Sequence, residues 1–372
     1  MPVKCQTVIN IIERVAPKRL AEDWDNVGLQ AGSPADEVAG ILVTLDINPE
    51  VISEAMAKGA NLIISHHPLI FKPLKNIRTD LPLGKMLNAI MQNRIAVYCA
   101  HTNLDNAGDG VNRVLAERLA LQEVEVINPD KFEQLYKIVV FIPETHADQV
   151  RDAMTRAGAG WIGNYSDCTF AVQGTGTFKA LAGCNPFRGD IGILEKAAEV
   201  RLETIVKETQ LNKVVRAMVK AHPYEETAYD VYPLANRTGG LGLGRIGTLE
   251  TPLRFKEFLD MVKQRLSVPV LRFGGNPDSM VQKIAVCGGS GAGLINKAAF
   301  MGADLFLTGD LKYHEAQEAF ALGLNFVDAG HFATENPVVG NIGQLLESAL
   351  AGEGQTVPVF TSKVSSDVFT YY

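Results

Sequence analysis

Asn61-Leu62-Ile63-Ile64-Ser65-His66-His67-Pro68 is the stretch that decides how this chain folds. Leu62-Ile63-Ile64 is a continuous apolar run, too short for a helix of its own. It comes after Gly59, which closes an amphipathic helical pattern over Pro49 to Lys58. An apolar run bounded in this way reads as a strand buried on both faces. Two adjacent histidines stand just past its end. The carboxyl ends of strands are where an open α/β sheet builds its sites.

The same arrangement recurs twice. Ile95-Ala96-Val97-Tyr98-Cys99 feeds His101-Thr102-Asn103-Leu104-Asp105, and Leu324-Asn325-Phe326-Val327-Asp328 feeds Gly330-His331-Phe332-Ala333-Thr334-Glu335. Four of the chain's seven histidines and two carboxylates therefore sit past the ends of three expected strands.

The surrounding pattern alternates helix and strand. Residues 1–127 read as a first α/β lobe, with strands at 40–45, 61–65 and 95–99 and helices between them. This rhythm implies a largely parallel sheet covered by helices. From 128 to 236 the order becomes strand, helix, three strand-like runs, helix, strand, which suggests a ferredoxin-like α+β insert. The strand-like runs in its middle are placed at 167–173, 176–181 and near 199–207. The glycine-rich run 238–244 reads as a linker back into a second α/β lobe over 237–372. There, Thr251-Pro252 opens a helix and strands fall at 268–273, 282–287, 304–308, 324–328 and 357–361. The expectation is a two-lobed α/β domain carrying an α+β insert. Because the third histidine group lies after the insert, the outer segments must meet in space.

Imidazole and carboxylate are ligands of borderline divalent metals. A lone histidine past a strand is more often a surface or hydrogen-bonded residue. Adjacent histidines diverge, so His66 and His67 suit two metals better than one. His101/Asp105 and His331/Glu335 share an i,i+4 spacing, which puts each pair on one face of a helical turn. Six candidates over two ions give about three protein ligands each, leaving open positions as catalytic sites do. The expected ligands are His66, His67, Asp105, His331 and Glu335. His101 is assigned to catalysis as a proton-transfer group, with a sixth-ligand role or a supporting hydrogen bond left open. Zn, Fe, Mn and Co all suit such a mixed N/O set.

Other signals carry less. Gly242-Leu243-Gly244-Arg245-Ile246-Gly247 matches a dinucleotide fingerprint but lacks its strand–turn–helix context. Cys287-Gly288-Gly289-Ser290-Gly291-Ala292-Gly293 comes after a strand and precedes a helix. Its amides are candidates to cradle phosphate, against the alternative of a tight turn. His222 with Glu225 and Glu226 reads as a polar turn rather than a metal site. Asp310 and His314 are candidate acid–base groups, with His314 favoured as a first-turn helix residue.

Bulk properties narrow the function. Net charge is −7, with no Lys/Arg run, which argues against nucleic-acid partners. No apolar stretch reaches the roughly 18 residues of a membrane span. Five cysteines without a CxxC pair point to a reduced, cytoplasmic chain.

The combined motifs resemble the Nif-three-like dinuclear metal-centre family, also known as GTP cyclohydrolase I type 2 homologues. They are Glu22-Asp23-Trp24-Asp25-Asn26-Val27-Gly28-Leu29, Ser65-His66-His67-Pro68, His101 to Asp105, Thr308-Gly309-Asp310 and Gly330 to Glu335. The resemblance places the family's metal ligands on His66, His67, Asp105, His331 and Glu335. It implies two divalent metals in a cleft between two α/β lobes and a homohexamer. The middle segment, marked by His222-Pro223-Tyr224-Glu225-Glu226, is similar to PII and CutA trimer-forming domains. The cyclohydrolase name implies opening of a guanine ring at C8. Two functional classes lead. One is a metal-dependent hydrolase acting on a small nucleotide-like substrate. The other is a non-enzymatic protein that stores or delivers metal, or whose assembly metal regulates. A third, a nucleic-acid-threading ring implied only by the family's toroid shape, is disfavoured by the acidic net charge.

Overall fold

A computed structural model describes residues 2–370, the side chains of 237–239 excepted. The chain divides into two compact units: Met1–Lys131 with Leu241–Tyr372, and Phe132–Gly240.

The first unit holds a five-stranded sheet in the order Gly28–Ala31, Ala96–Cys99, Leu62–Ser65, Ile41–Thr44, Val359–Thr361. Neighbours are parallel except the first pair. Side chains alternate between the faces of a strand. Ile41, Val43, Leu62, Ile64, Ala96 and Tyr98 pack with the helices Cys5–Val15 and Pro337–Gly352. Leu42, Ile63 and Val97 pack with Pro49–Ala57 and Pro82–Gln92. Both faces are covered, which is why Leu62-Ile63-Ile64 carries no polar residue.

A second set of strands in the same unit runs from residues 245–254 through Met280–Ser290, Leu305–Gly309 and Asn325–Asp328 to Arg272–Gly274. Its middle three strands are parallel and its flanks antiparallel. Ile284, Val286, Leu305, Leu307 and Val327 face the helices Phe255–Leu266 and Val111–Arg118. Ala285, Cys287 and Phe306 face Ile295–Phe300 and Tyr313–Ala321.

The two sequence segments of this unit interlock. Val111–Arg118, from the first segment, packs Leu115 against the second sheet and Val111 and Val114 against the first core. Pro337–Gly352, from the last segment, covers the first sheet through Val338, Ile342 and Leu346. Truncating any one of these buried leucines or isoleucines to alanine costs about 2–5 kcal/mol, so the two cores hold each other in register.

In the unit Phe132–Gly240 the elements run strand, helix, strand, strand, helix, strand. Leu194–Lys207 pairs antiparallel with residues 135–143 on one side and with Thr169–Lys179 on the other. Val150 and Met154 of one helix and Val214 and Met218 of the other share a core with Ile138, Val140, Leu202 and Val206.

Several elements differ from the sequence expectation, and the strand placed at 268–273 is confined to Arg272–Gly274. The strands placed at 167–173 and 176–181 form one strand, Thr169–Lys179. Gly176 continues it by pairing opposite Ala197, and glycine fits there because a Cβ would lie 2.0 Å from Glu199 Oε2 on the neighbouring strand. The expected linker 238–244 lies inside the strand Tyr229–Arg254. The helix expected from Thr251 starts at Phe255, because Leu253 and Arg254 still pair with Val281 and Met280. Glu257 then accepts from the Arg254 amide and caps the helix. The strand Gly28–Ala31 was not expected at all. No described helix is long and apolar enough to cross a membrane, and all five cysteines are free.

Candidate metal centre

Parallel strands bring their carboxyl ends to one edge, and the interlocked cores set two such edges together. Ser65 ends one strand, Cys99 its neighbour, and Asp328 a strand of the second sheet. The six candidate residues meet there. Three groups have ligand atoms within 4.8 Å of one another: His66, His67 and His101; His67, His331 and Glu335; His66, Asp105 and Glu335. The last two share Glu335.

Each histidine is fixed by its Nδ1, leaving Nε2 for the centre. His66 Nδ1 lies 2.9 Å from the Ala100 carbonyl, and His67 Nδ1 lies 2.7 Å from Asp46. His101 Nδ1 lies 3.0 Å from both oxygens of Asp25, and His331 Nδ1 lies 2.7 Å from Asp310. A carbonyl or carboxylate on the far nitrogen selects the tautomer and ring orientation that a metal-binding imidazole needs. On the inner side, Glu335 Oε2 lies 2.9 Å from His67 Nε2 and 3.1 Å from His331 Nε2. It lies 3.7 Å from His66 Nε2, which is 3.6 Å from Asp105. Nε2 of His67 and His331 approach to 3.3 Å.

The burial of this set is what fits it to cations. His66 is fully buried and Glu335 is 4% exposed. His66 Nε2 and Glu335 Oε2 are buried polar atoms without a proper hydrogen-bond partner. Such atoms are costly unless something else satisfies them. In the metal-free chain, protons fill that role. Burial disfavours the His67 imidazolium, yet Asp46 and Glu335 overcome it and hold the pKa up at about 10. Glu335, together with Asp310 and against burial, raises His331 to about 9. Burial pushes Glu335 up, but His331, His66 and His67 pull it well below the usual carboxylate range. Burial raises Asp105 to about 6, with Glu335 adding to the push and His66 opposing it. A divalent cation would supply the same positive charge and displace those protons.

Backbone features let the carboxylates in. At Gly289, with φ +60°, a Cβ would lie 2.1 Å from Glu335 Oε1. Three amides of the glycine turn are engaged within the protein, as the tight-turn alternative expects. Its amides at Gly288, Gly289 and Gly291 donate to Asn112, Thr334 and Thr308 at 2.9, 3.0 and 2.9 Å. These bonds fix the wall behind Glu335. The buried Arg245 guanidinium donates to the carbonyls of Gly242, Gly244, Ala107 and Gly108 and so anchors the turn just after Asp105. That is the work of the Gly242–Gly247 motif.

Asp46 was missed by sequence reasoning, although it too lies past a strand, Ile41–Thr44, and the same signal marks it. Asp25 was noticed only as part of a motif. The strand Gly28–Ala31 runs antiparallel with Gly28 opposite Cys99, so residues before it lie beside the end of Ala96–Cys99. Burial raises the Asp25 carboxyl, but hydrogen bonds from His101 and Thr102 more than offset this and hold it at about 2. Asp310 is an orienting group for His331. His314 is exposed beside Gln317 and stays outside the centre. His222 lies against the Phe141 carbonyl and the Tyr224 amide, as a structural turn residue does. On the His331 side, a cavity of about 920 Å³ opens, lined in part by Asp46, His67, Arg118, Arg265, Asp310 and His331.

Comparison with known proteins gives the family. The family model described as Duf34/NIF3 (NGG1p interacting factor 3) matches residues 3–368. A Halalkalibacterium halodurans protein named GTP cyclohydrolase 1 type 2 homolog is 46% identical over 366 residues, 98% of each chain. A Bacillus subtilis protein of the same name is 44% identical over 369 residues, 99% of each chain. The crystal structure of a Bacillus cereus protein related to NIF3 superposes with a TM-score of 0.91 at 45% identity, covering all of both chains. With a match over nearly its whole length and relatives of nearly equal length, the chain belongs to the Duf34/NIF3 family.

Proposed function

We propose that this protein is a dinuclear, divalent-metal-dependent hydrolase acting on a small nucleotide-like substrate. The observation that carries the proposal is the pair of groups, His67/His331/Glu335 and His66/Asp105/Glu335, that share one carboxylate. Three potential protein donors in each group, with one carboxylate common to both, would suit an open hydrolytic site. Two cations held there would supply Lewis acidity, polarising a carbonyl or phosphoryl oxygen and acidifying water.

The chain's own residues do the rest. His66, buried and tied to Ala100, gives a rigid inner wall. His67 and His331, oriented by Asp46 and Asp310, face the cavity where a substrate enters. His101 Nε2 handles the proton. Its Nδ1 is held by Asp25, which stays anionic, so the ring can take a proton at Nε2 and return it without rotating. Glu335, closed in by Gly289 and the histidines, excludes water from behind the centre.

The test is elemental analysis of protein purified without chelator, with assays on purine nucleotides, phosphodiesters and cyclic amides. About two ions per chain, and hydrolysis that chelation abolishes, are expected. A metal-loaded chain inert on the whole panel, with a cellular phenotype unchanged in a metal-free His67→Ala strain, would defeat the reading.

A further inference from the structure

The segment that carries Asp25 inward carries its neighbour outward. Trp24 is 61% exposed and Phe71 is 49% exposed, and the two rings meet edge to face with centroids 5.9 Å apart. Each also stands edge-on to His101, at 6.2 and 6.4 Å. Exposed aromatics on a loose loop would mean little. These are pinned. Asn26 Nδ2 donates to the Ile70 carbonyl at 2.5 Å, the Ile70 amide donates to Gln30 Oε1 at 2.9 Å, and Gln30 Nε2 donates to the Asn26 carbonyl at 2.7 Å. This triangle locks the backbone beside both rings. On the inner side, the hydroxyl and amide of Thr102 donate to Asp25.

Two aromatic rings held exposed beside a cluster of titratable groups offer apolar area that a ligand would bury on binding. An edge-to-face pair leaves ring faces free, and a third flat ring can stack on one while meeting the edge of the other. Such a corner suits a planar aromatic ring, and its fixed geometry lowers the entropy cost of binding.

We infer that Trp24 and Phe71 form a stacking corner for the heteroaromatic ring of the substrate, which they set against His101. The inference rests on the proposed function for the reaction but not for the binding itself. Trp24 and Trp161 are the chain's two tryptophans, and Trp161 lies in the other unit. In a Trp161→Phe background, Trp24 is therefore its own reporter.

The experiment titrates metal-loaded Trp161→Phe protein with the 5′-monophosphates of guanosine, adenosine and uridine and with flavin mononucleotide. Ribose 5-phosphate is the control without a ring, and metal content is measured in parallel. Saturable quenching by at least one ring compound and none by ribose 5-phosphate are expected. By calorimetry, Trp24→Ala and Phe71→Ala each weaken binding of that compound about tenfold or more at unchanged metal content. The inference is overturned if no ring compound quenches, if ribose 5-phosphate binds equally well, or if the alanine variants change only self-association. A chain that binds rings but no metal would sink the hydrolase reading and leave the corner standing. Two bound metals without ring binding would do the reverse.

Discussion

His67 and His222 each precede a proline, Pro68 and Pro223, yet the chain uses them in opposite ways. His67 points Nε2 at Glu335 and rests Nδ1 on Asp46, so carboxylates flank it on both sides. His222 rests on a backbone carbonyl and accepts from a backbone amide. The electrostatics differ accordingly. Carboxylates raise the pKa of His67 against burial, while burial lowers that of His222 with only partial opposition from the Phe141 carbonyl. The same residue type, in the same local motif, joins a group that could hold a metal ion in one unit and locks a turn in the other. The groups facing the ring decide, not the motif.

The sharpest way to break this contrast is Glu335→Gln. It removes the anion shared by both ligand groups, and metal content measured by elemental analysis should fall from about two ions per chain toward none. His222→Gln should leave metal content unchanged. Equal loss in both variants would erase the distinction.

Gly289→Ala tests the same anion from behind. Its Cβ would overlap Glu335 Oε1, so metal affinity in a competition assay with a chromophoric chelator should drop by about 10–100-fold, the range for displaced supporting groups. Asp46→Ala removes only the group that orients His67. A similar or smaller loss, toward the ~10-fold end, is expected, and wild-type affinity would show that Asp46 does not set the ring.

The pH dependence has opposite signs in the two regions. The raised His67 and His331 stabilise the metal-free fold fully below the unfolded histidine pKa. That contribution is lost as pH rises through about 9 and 10. Chelator-treated protein should therefore melt at lower temperature at pH 10 than at pH 7, with a flatter profile in His67→Gln. The depressed His222 works the other way. Its contribution is present above the unfolded pKa and is lost as pH falls through its folded value, so the acid-side slope should shrink in His222→Gln. That variant's cost at neutral pH is the smallest effect here, about 1–3 kcal/mol by chemical denaturation for a buried group left unpaired.

Much of the first unit was legible in the sequence because strands covered on both faces are mostly apolar, and such runs stand out. Leu62–Ser65, Ala96–Cys99 and Leu305–Gly309 are of this kind. Gly28–Ala31 was not legible: it is a four-residue edge strand whose residues beyond Gly28 are only partly buried, and only its pairing with Ala96–Cys99 gives it regular structure. The continuation of Tyr229–Arg254 through its glycines was hidden for a related reason. Glycine signals a break locally, and only a facing strand can override that preference.

At the centre, the residue types and their position past strand ends were written in the sequence, since periodicity fixes where a strand stops and which residues come next. Which way each ring points was not. Asp46, Asp25 and Asp310 lie 21, 76 and 21 residues from the histidines they hold. An imidazole's orientation depends on its partner across space. The sequence by itself therefore determined a set of metal-loving groups at the ends of buried strands. Only the tertiary structure, by interlocking two cores across an insert, turned four Nε2 atoms and two carboxylates toward one another.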